Sequence, residues 1–484
     1  NYAYVLPGFL LVLLGGINGP FHNAMVSVLS KRSHRESAHI LAVLNTLVSS
    51  VLFLVTLILI FFANPLISLL GPGLSKELHE IAVIQLQLMA PIALLAGLIG
   101  LGFGSLNATN EFFLPAISPL MSSLAVIFGV GMFWIYLEPE ISSSNLALVG
   151  GIILAVSTLG GAILQWLIQL PALVRKGLGK INLVWDINHP GVKEVLKVIW
   201  PATLSSGMLQ INVFTDLFFA SGIFGAAAGL DYSNLLVQTP LGLISNALLI
   251  PLLPTFARLS TPKDFPKLKR RINQGLMLST TCMVPIGALF MVLREPIVTL
   301  VYERGAFDTQ ATSLVSGILL IYGLGMPVYL GRDLLVRVFY GLGDGSTPFK
   351  FSVAGIGLNI FLDWILVSRF QAQGLVLATV LINLITCIGL LVKLDFDLGG
   401  LPLKQWSLDG MKILFAGATC GFIAWILKTT INWPPGFLGH LTEVLMSSIP
   451  ALITFVAISK LLRNKELTEL IDSLQLRLSN HQDQ

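Results

Sequence analysis

Long apolar runs dominate the chain, and short segments between them collect most of its polar and charged residues. The runs fall at 3–30, 41–63, 81–107, 112–137, 147–172, 195–222, 225–256, 273–293, 309–341, 347–368, 374–392, 408–428 and 436–460. Most are about 20 to 30 residues long, enough to cross a hydrocarbon core of about 30 Å as a helix. The short alternating segments of a β-barrel are missing. The pattern therefore predicts an all-α polytopic membrane protein with thirteen spans. Composition agrees: 55% of the 484 residues are hydrophobic and 11% are charged, against about 25% charged in a soluble domain.

The basic residues predict the sidedness. One set of alternating loops, together with the tail, holds 22 of the 29 lysines and arginines, and the other set holds 5. The remaining two, Arg332 and Arg337, lie inside a span. The rich set should be cytoplasmic, and the C-terminus with it. Thirteen spans then put Asn1 outside. The chain opens on Asn1-Tyr2-Ala3-Tyr4, already within an apolar run, so one further helix is expected upstream. The net charge of +4 is explained by these loops and does not point to nucleic acid. The basic, amphipathic "PKDFPKLKRRINQ" at 262–274 reads as a helix against anionic lipid headgroups.

Two halves of the chain echo each other. "NPLISLLGPGLS" from Asn64 resembles "EPIVTLVYERGAFD" from Glu295, an offset of 231. "GSLNATNEFFLP" ending at Pro115 resembles "YGLGDGSTP" ending at Pro348, an offset of 233. Repeats of this kind build transporters with a midplane cavity. The expected organisation is a first lobe over 1–172, a linker over 173–194, a second lobe over 195–400, and two further helices with a tail over 401–484. Gly15, Gly16, Gly19 and Pro20 in "LLGGINGPF", and Pro240 and Gly242 in "NLLVQTPLG", predict broken helices at corresponding places. Such breaks are tolerated where they line a wet cavity.

Ionisable groups at membrane depth are the candidate chemistry, because each costs about 2.5–3.5 kcal/mol on insertion scales. "GRDLLVRVFYGLGDGSTP" carries Arg332, Asp333 and Arg337. Asp333 and Arg337, spaced i,i+4, should pair. Arg337 lies about 6 Å from the cytoplasmic helix end and Arg332 about 13 Å, which leaves Arg332 as the stronger anion contact. Asp216 in "LQINVFTDLFF", near Gln210 and Asn212, and Asp363 in "LNIFLDWIL" could bind a monovalent cation or proton, or pair with Arg332. Asn18, His22, Asn23, Asn234 and Gln238 are uncharged polar residues of the broken spans. They serve either as interhelical hydrogen bonds or as cavity contacts.

No Walker motif, metal-spaced histidine cluster or catalytic Ser/His/Asp set is present in the sequence. Cys282, Cys387 and Cys420 sit inside apolar runs and suit packing. The expectation is a transporter without catalytic residues, metal or cofactor, driven by an ion gradient, the membrane potential or the substrate's own gradient.

Several stretches carry a family resemblance: "PATLSSGMLQINVFTDLFFAS", "YSNLLVQTPLGLISNALLIPLLPTFARL", "YERGAFD" and "RDLLVRVFYGLGDGSTP". Over essentially its whole length the sequence resembles the MurJ (MviN) lipid II flippases, within the multidrug/oligosaccharidyl-lipid/polysaccharide exporter superfamily. The resemblance implies fourteen helices, as two six-helix lobes plus two C-terminal helices, of which thirteen are present here. It implies a multi-pass protein of the bacterial cytoplasmic membrane, acting as a monomer among membrane lipids. By alternating access it would carry lipid II, an undecaprenyl-pyrophosphate-linked muropeptide, from the cytoplasmic to the outer leaflet. Arg332 and Arg337 would then be the pyrophosphate candidates, since pyrophosphate needs cationic donors. Asn18, Asn234, Gln238 and Asp333 would be cavity polar groups, and Asp216 and Asp363 would bind the coupling ion or form ion pairs.

The sequence also departs from the family. Many members carry an Asn and paired arginines where this chain reads Pro7-Gly8-Phe9-Leu10-Leu11-Val12. Many carry Asp-Arg, with Glu three further on, where this chain has Asn234-Leu235 and Gln238. These neutral replacements keep two other readings open: a flippase for another polyprenyl-linked glycan, or an inactive scaffold of envelope assembly.

Overall fold

The computed structural model describes residues 1–16, 20–30, 32–137, 143–178, 184–209 and 211–462. Among these there is no strand, and ten helices are long and apolar enough to cross a membrane. The difference from thirteen expected spans has a geometric origin. The helix Ser346–Asp397 has 52 residues and would be about 78 Å long if straight. It is broken at Gln371 (φ 49°, ψ −132°), so it supplies both of the spans expected over 347–368 and 374–392. The expected span 3–30 is broken at Gly16 into two helices, and over 195–222 the described residues are helical to Leu209 and from Ile211 to Ala220; the apolar pieces Tyr2–Gly15 and Ile211–Ala220 are shorter than a full span.

The chain folds as two compact units, Asn1–Gly222 and a second beginning at Ile223. The first unit contains α1 (Tyr2–Gly15), α2 (Pro20–Leu29), α3 (His34–Phe61), α4 (Ala63–Leu70), α5 (Lys76–Met89) and α6 (Ile92–Ala108). It continues with α7 (Phe113–Met132), α8 (Ser143–Leu167), α9 (Leu170–Arg175), α10 (Pro190–Leu209) and α11 (Ile211–Ala220). Helix α6 is its axis and is buried along most of its length, with α1, α2 and α3 packed on it. Gly100 permits the closest approach: a Cβ there would lie 1.9 Å from the Leu14 carbonyl oxygen. Without hydrophobic driving force between helices in lipid, such small-residue contacts supply much of the packing.

The expected break in "LLGGINGPF" is present. Helix α1 ends at Gly15, Gly16 is extended (φ −75°, ψ 147°), and α2 begins at Pro20. Polar contacts tie the N-terminal region of α10 to that of α3. Arg32 pairs with Glu36 and, at 2.6 Å, with Glu194. His39 Nε2 meets Asp186 Oδ2 at 3.2 Å, and the Val184 amide donates to Thr46 Oγ1 at 3.1 Å.

The second unit contains α12 (Ala226–Ile244), α13 (Ile250–Arg258), α14 (Phe265–Val292), α15 (Arg294–Tyr302) and α16 (Thr309–Gly341). It ends with α17 (Ser346–Asp397), α18 (Leu403–Thr430) and α19 (Phe437–Leu461). Helices α14 and α16 form its centre. They meet backbone to backbone, since a Cβ at Gly287 would lie 2.4 Å from the Gly323 carbonyl oxygen. The basic stretch at 262–274 forms a 3-10 turn and then the first turns of α14, with Lys269 donating to the Gly400 carbonyl at 2.6 Å.

The break expected at Pro240 and Gly242 lies further along the chain. Helix α12 runs through both residues and widens into a π-turn at Ser245–Leu249 before α13. Proline removes one i→i−4 bond and crowds the preceding turn, and a π-turn is one way for a helix to take up such a disturbance.

Candidate functional site

A cavity of about 340 Å³ opens within the second unit, lined by α12, α16 and α17. Each helix presents one face to it. From α12 come Asn234, Gln238 and Leu241; the i,i+4 spacing of the two amides puts both on the cavity side. From α16 come Tyr322, Tyr329, Arg332 and Asp333, spread over about three turns of the same face. The second half of α17 adds Thr379 and Asn383. Asn383 Nδ2 donates to the Thr379 carbonyl at 2.7 Å, which turns its side-chain oxygen away from the helix backbone.

Four of the residues singled out from sequence thus meet in one place: Arg332, Asp333, Asn234 and Gln238. Their pairing differs from expectation. Asp333 Oδ1 lies 3.5 Å from Arg332 Nη1, and the expected partner Arg337 instead donates from Nη2 to Ser245 Oγ at 3.2 Å. Consecutive helical residues point about 100° apart, but a long arginine side chain spans that angle by folding back along the helix. Arg337 faces the π-turn, where Ser245, itself on the cavity wall, comes within reach.

The other candidates lie elsewhere. Asp363 is fully buried on the first half of α17 and accepts a hydrogen bond from Asn359 Nδ2 at 2.5 Å. Asp216 lies on α11, in the first unit. His22, also in the first unit, is buried with its Nε2 2.7 Å from Asn107 Nδ2, a packing role. Asn18 and Gln210 fall outside the described residues, as does the side chain of Asn23. Among the described residues no three His, Cys, Asp or Glu side chains stand together as a metal site requires.

Tyr322, Tyr329, Thr379, Asn383 and Ser245 complete the cavity and were not singled out from the sequence. The two tyrosines are seven residues apart, and Tyr329 is four residues before Asp333. Helical phase alone links all three.

Asp344 closes the turn between α16 and α17. Its carboxylate accepts from the Ser346 and Thr347 amides, both at 3.1 Å, and from their hydroxyls at 2.8 and 2.5 Å. These bonds, the Thr347 hydroxyl foremost, lower its pKa to about 2.

Long apolar helices, a broken α17 and a cavity with paired charges on its wall mark a multi-pass membrane protein. The fold agrees. A solved multidrug resistance MATE family transporter of the MOP superfamily, in an inward-facing conformation, superposes with a TM-score of 0.63 at 13% identity, over 82% of this chain and 89% of that one. The solved "Lipid II flippase MurJ, inward closed conformation" superposes with a TM-score of 0.77 at 23% identity, over 95% of this chain and 92% of that one.

Sequence gives the family. The family model described as "Lipid II flippase MurJ" matches residues 1–442. The probable lipid II flippase MurJ of Synechocystis sp. is 49% identical over 465 residues, 95% of this chain and 87% of that protein. The probable lipid II flippase MurJ of Rickettsia prowazekii is 27% identical over 386 residues, 78% of this chain and 73% of that protein. The chain belongs to the lipid II flippase MurJ family, a family of membrane transporters and not of enzymes.

Proposed function

We propose that this protein flips lipid II from the cytoplasmic to the outer leaflet of the bacterial cytoplasmic membrane by alternating access. The observation that carries the reading is the 49% identity to the Synechocystis protein, sustained over 95% of the chain. The cavity supports it with a cation at membrane depth, because Arg332 can donate to a pyrophosphate oxygen. Arg337 has its guanidinium engaged by Ser245 and stands behind Arg332 as a secondary contact. Asn234, Gln238 and Asp333 face the same space.

In this reading the lobes over 1–172 and 195–400 alternate around the linker at 173–194, with the C-terminus in the cytoplasm. Asp363, held by Asn359, and Asp216 are the sites for a coupling cation or proton. The protein works as a monomer. The test is growth of a bacterium depleted of its own lipid II flippase and supplied with this chain. Rescue by the parent protein and failure by Arg332→Ala at equal membrane abundance supports the reading. Failure by both, at normal abundance, overturns it.

A further inference from the structure

Helix α19 buries one face that is not wholly apolar. Its buried residues are Gly439, Glu443, Ser447, Ala451, Phe455 and Ser459, and their i,i+4 spacing keeps them on that face. Glu443 lies about 9 Å along the helix from its start at Phe437, and its side chain is only 9% exposed. A carboxylate inside a membrane helix is expensive and points to a function, and its partner shows which.

That partner is His440. Its Nδ1 lies 3.4 Å from Glu443 Oε2, and its side chain is 33% exposed. One member of the pair is thus buried while the other reaches water. Four residues further along the same face, Ser447 is fully buried, and its Oγ has no hydrogen-bond partner among the described residues. The carboxylate therefore stands between an imidazole and a hydroxyl that has no other use.

The elements packed on α19 are α18, α15 and α14. Helix α15 lies between the end of α14 at Val292 and the start of α16 at Thr309, so it meets α19 near Glu443. Its charged residues are engaged elsewhere: Arg294 Nη1 donates to the Met291 carbonyl at 3.3 Å, and Glu295 Oε2 accepts from Lys428 at 3.2 Å. Lys428 is the one charged residue in the adjoining half of α18, and α14 carries no charge beyond Arg271. Lys404, Asp409, Lys412 and Lys460 lie at the far ends of α18 and α19. Cys282, Cys420 and Tyr302 complete the titratable groups of these surroundings, with the Tyr302 hydroxyl donating to the Tyr232 carbonyl. Among the described residues, His440 is the one side chain in ion-pair contact with Glu443.

We infer that His440 and Glu443 form a proton-binding site that locks this end of α19 onto α15 and α18. With the proton bound, imidazolium Nδ1–H donates to the carboxylate as a charge-assisted hydrogen bond. Histidine exchanges that proton with water within the physiological pH range. When it leaves, the buried carboxylate keeps its charge and loses its cation, which favours opening of the interface to water. The lock is closed on the acid side of the histidine transition and weakens as pH rises through it. The orientation proposed above places this end of α19 outside the cytoplasm, so the site reads external pH. That sidedness is the only element taken from the transport reading.

The test is amide hydrogen exchange over 437–447 in the purified full chain in nanodiscs, expressed as protection factors at pH 6 and pH 8.5, where intrinsic exchange rates have been divided out. Protection in the parent protein should fall about tenfold from the lower to the higher pH, the difference between a charge-assisted and a neutral hydrogen bond. Glu443→Gln has no charge to strand and should stay protected at both pH values. His440→Gln should show the parent's weaker, high-pH protection at both. A merely structural pair would make both variants less protected and neither pH-independent. Melting temperatures identify any variant that fails to fold, and the parent's pH ratio needs no variant. Equal protection of the parent at the two pH values overturns the lock, as does a pH response that survives in Glu443→Gln. Both faces of the nanodisc meet the same buffer, so either failure leaves the transport reading standing.

Discussion

Arg337 donates from Nη2 to Ser245 Oγ at 3.2 Å, while its buried Nη1 has no hydrogen-bond partner among the described residues. One hydroxyl, held in place by a π-turn, is thus the hydrogen-bonding partner of a guanidinium on the neighbouring helix. π-turns of this kind recur at functional sites in helices. Here the turn brings Ser245 both to the cavity wall and to Arg337.

Stability should therefore respond to Ser245 more than to Arg337. Ser245→Ala removes the hydrogen-bond partner of a half-buried guanidinium, at a cost of about 1–3 kcal/mol. Arg337→Met removes the cation and keeps the packing of its stem, and replacing a buried charge by an apolar group is often close to neutral. Thermal melting of the purified variants checks this. The expected order is Ser245→Ala below Arg337→Met, and the reverse order contradicts the role given to the pair.

The pair on the cavity wall makes a different forecast. Arg332 and Asp333, 3.5 Å apart, compete with any bound anion for each other. Arg332→Ala should weaken polyprenyl diphosphate binding about tenfold to a hundredfold, the range for a charge-assisted hydrogen bond. Asp333→Asn removes the competing carboxylate and should strengthen binding several-fold. Titration of the lipid into each variant in nanodiscs reads both effects. Weaker binding in Asp333→Asn would mean that the carboxylate positions Arg332 and does not compete with the ligand.

Asp344 links stability to pH. Its carboxylate is held at a pKa of about 2, below the ordinary value of about 3.9. A lowered pKa means that the charged form favours the folded state. The stabilisation is complete above about pH 3.9 and is lost as pH falls through about 2. Asp344→Ala should lower the melting temperature at pH 6 through loss of a helix cap, at a cost of about 0.5–2 kcal/mol. The gap between parent and variant should hold from pH 8 to 5 and shrink below pH 4. A gap independent of pH down to 2 would show that the capping bonds do not need the charge.

The approach of α14 to α16 rests on glycine. A Cβ at Gly287 would sit 2.4 Å from the Gly323 carbonyl oxygen, whereas Gly410 on α18 has nothing within 4 Å. Gly287→Ala should force the helices apart and lower the melting temperature by several degrees, in the range of about 1–3 kcal/mol for overpacking. Gly410→Ala, in the same helical conformation with open space, should be neutral or slightly stabilising. Equal effects at the two positions would contradict the packing.

Much of this was legible in the chain. Apolar runs located each of the ten helices that, among the described residues, are long and apolar enough to span a membrane, and separated the two halves of α17, because the polar stretch around Arg369 and Gln371 interrupts hydrophobicity where the backbone breaks. Glycines before Pro20 marked the end of α1 correctly. Charge at membrane depth marked Arg332 and Asp333, and both line the cavity. The partner of Asp333 was not legible, because i,i+4 spacing describes backbone proximity while the ion pair is decided by arginine rotamers and by Ser245 on another helix. Tyr322, Tyr329, Thr379 and Asn383 were missed for a related reason. Their helical phase can be read from sequence, but which face of α16 turns toward α12 is set by packing across segments far apart in the chain. Pro240 misled for a local reason: α12 continues through it and departs from α-geometry five residues later.

The most direct measurement is the amount of lipid II in the outer leaflet of cells whose own flippase has been depleted and replaced by this protein. Outer-leaflet lipid II should return toward the undepleted level with the parent chain and stay low with Arg332→Ala at the same membrane abundance. Lipid II that remains in the inner leaflet, with the parent chain present at normal abundance, would contradict lipid II transport by this protein.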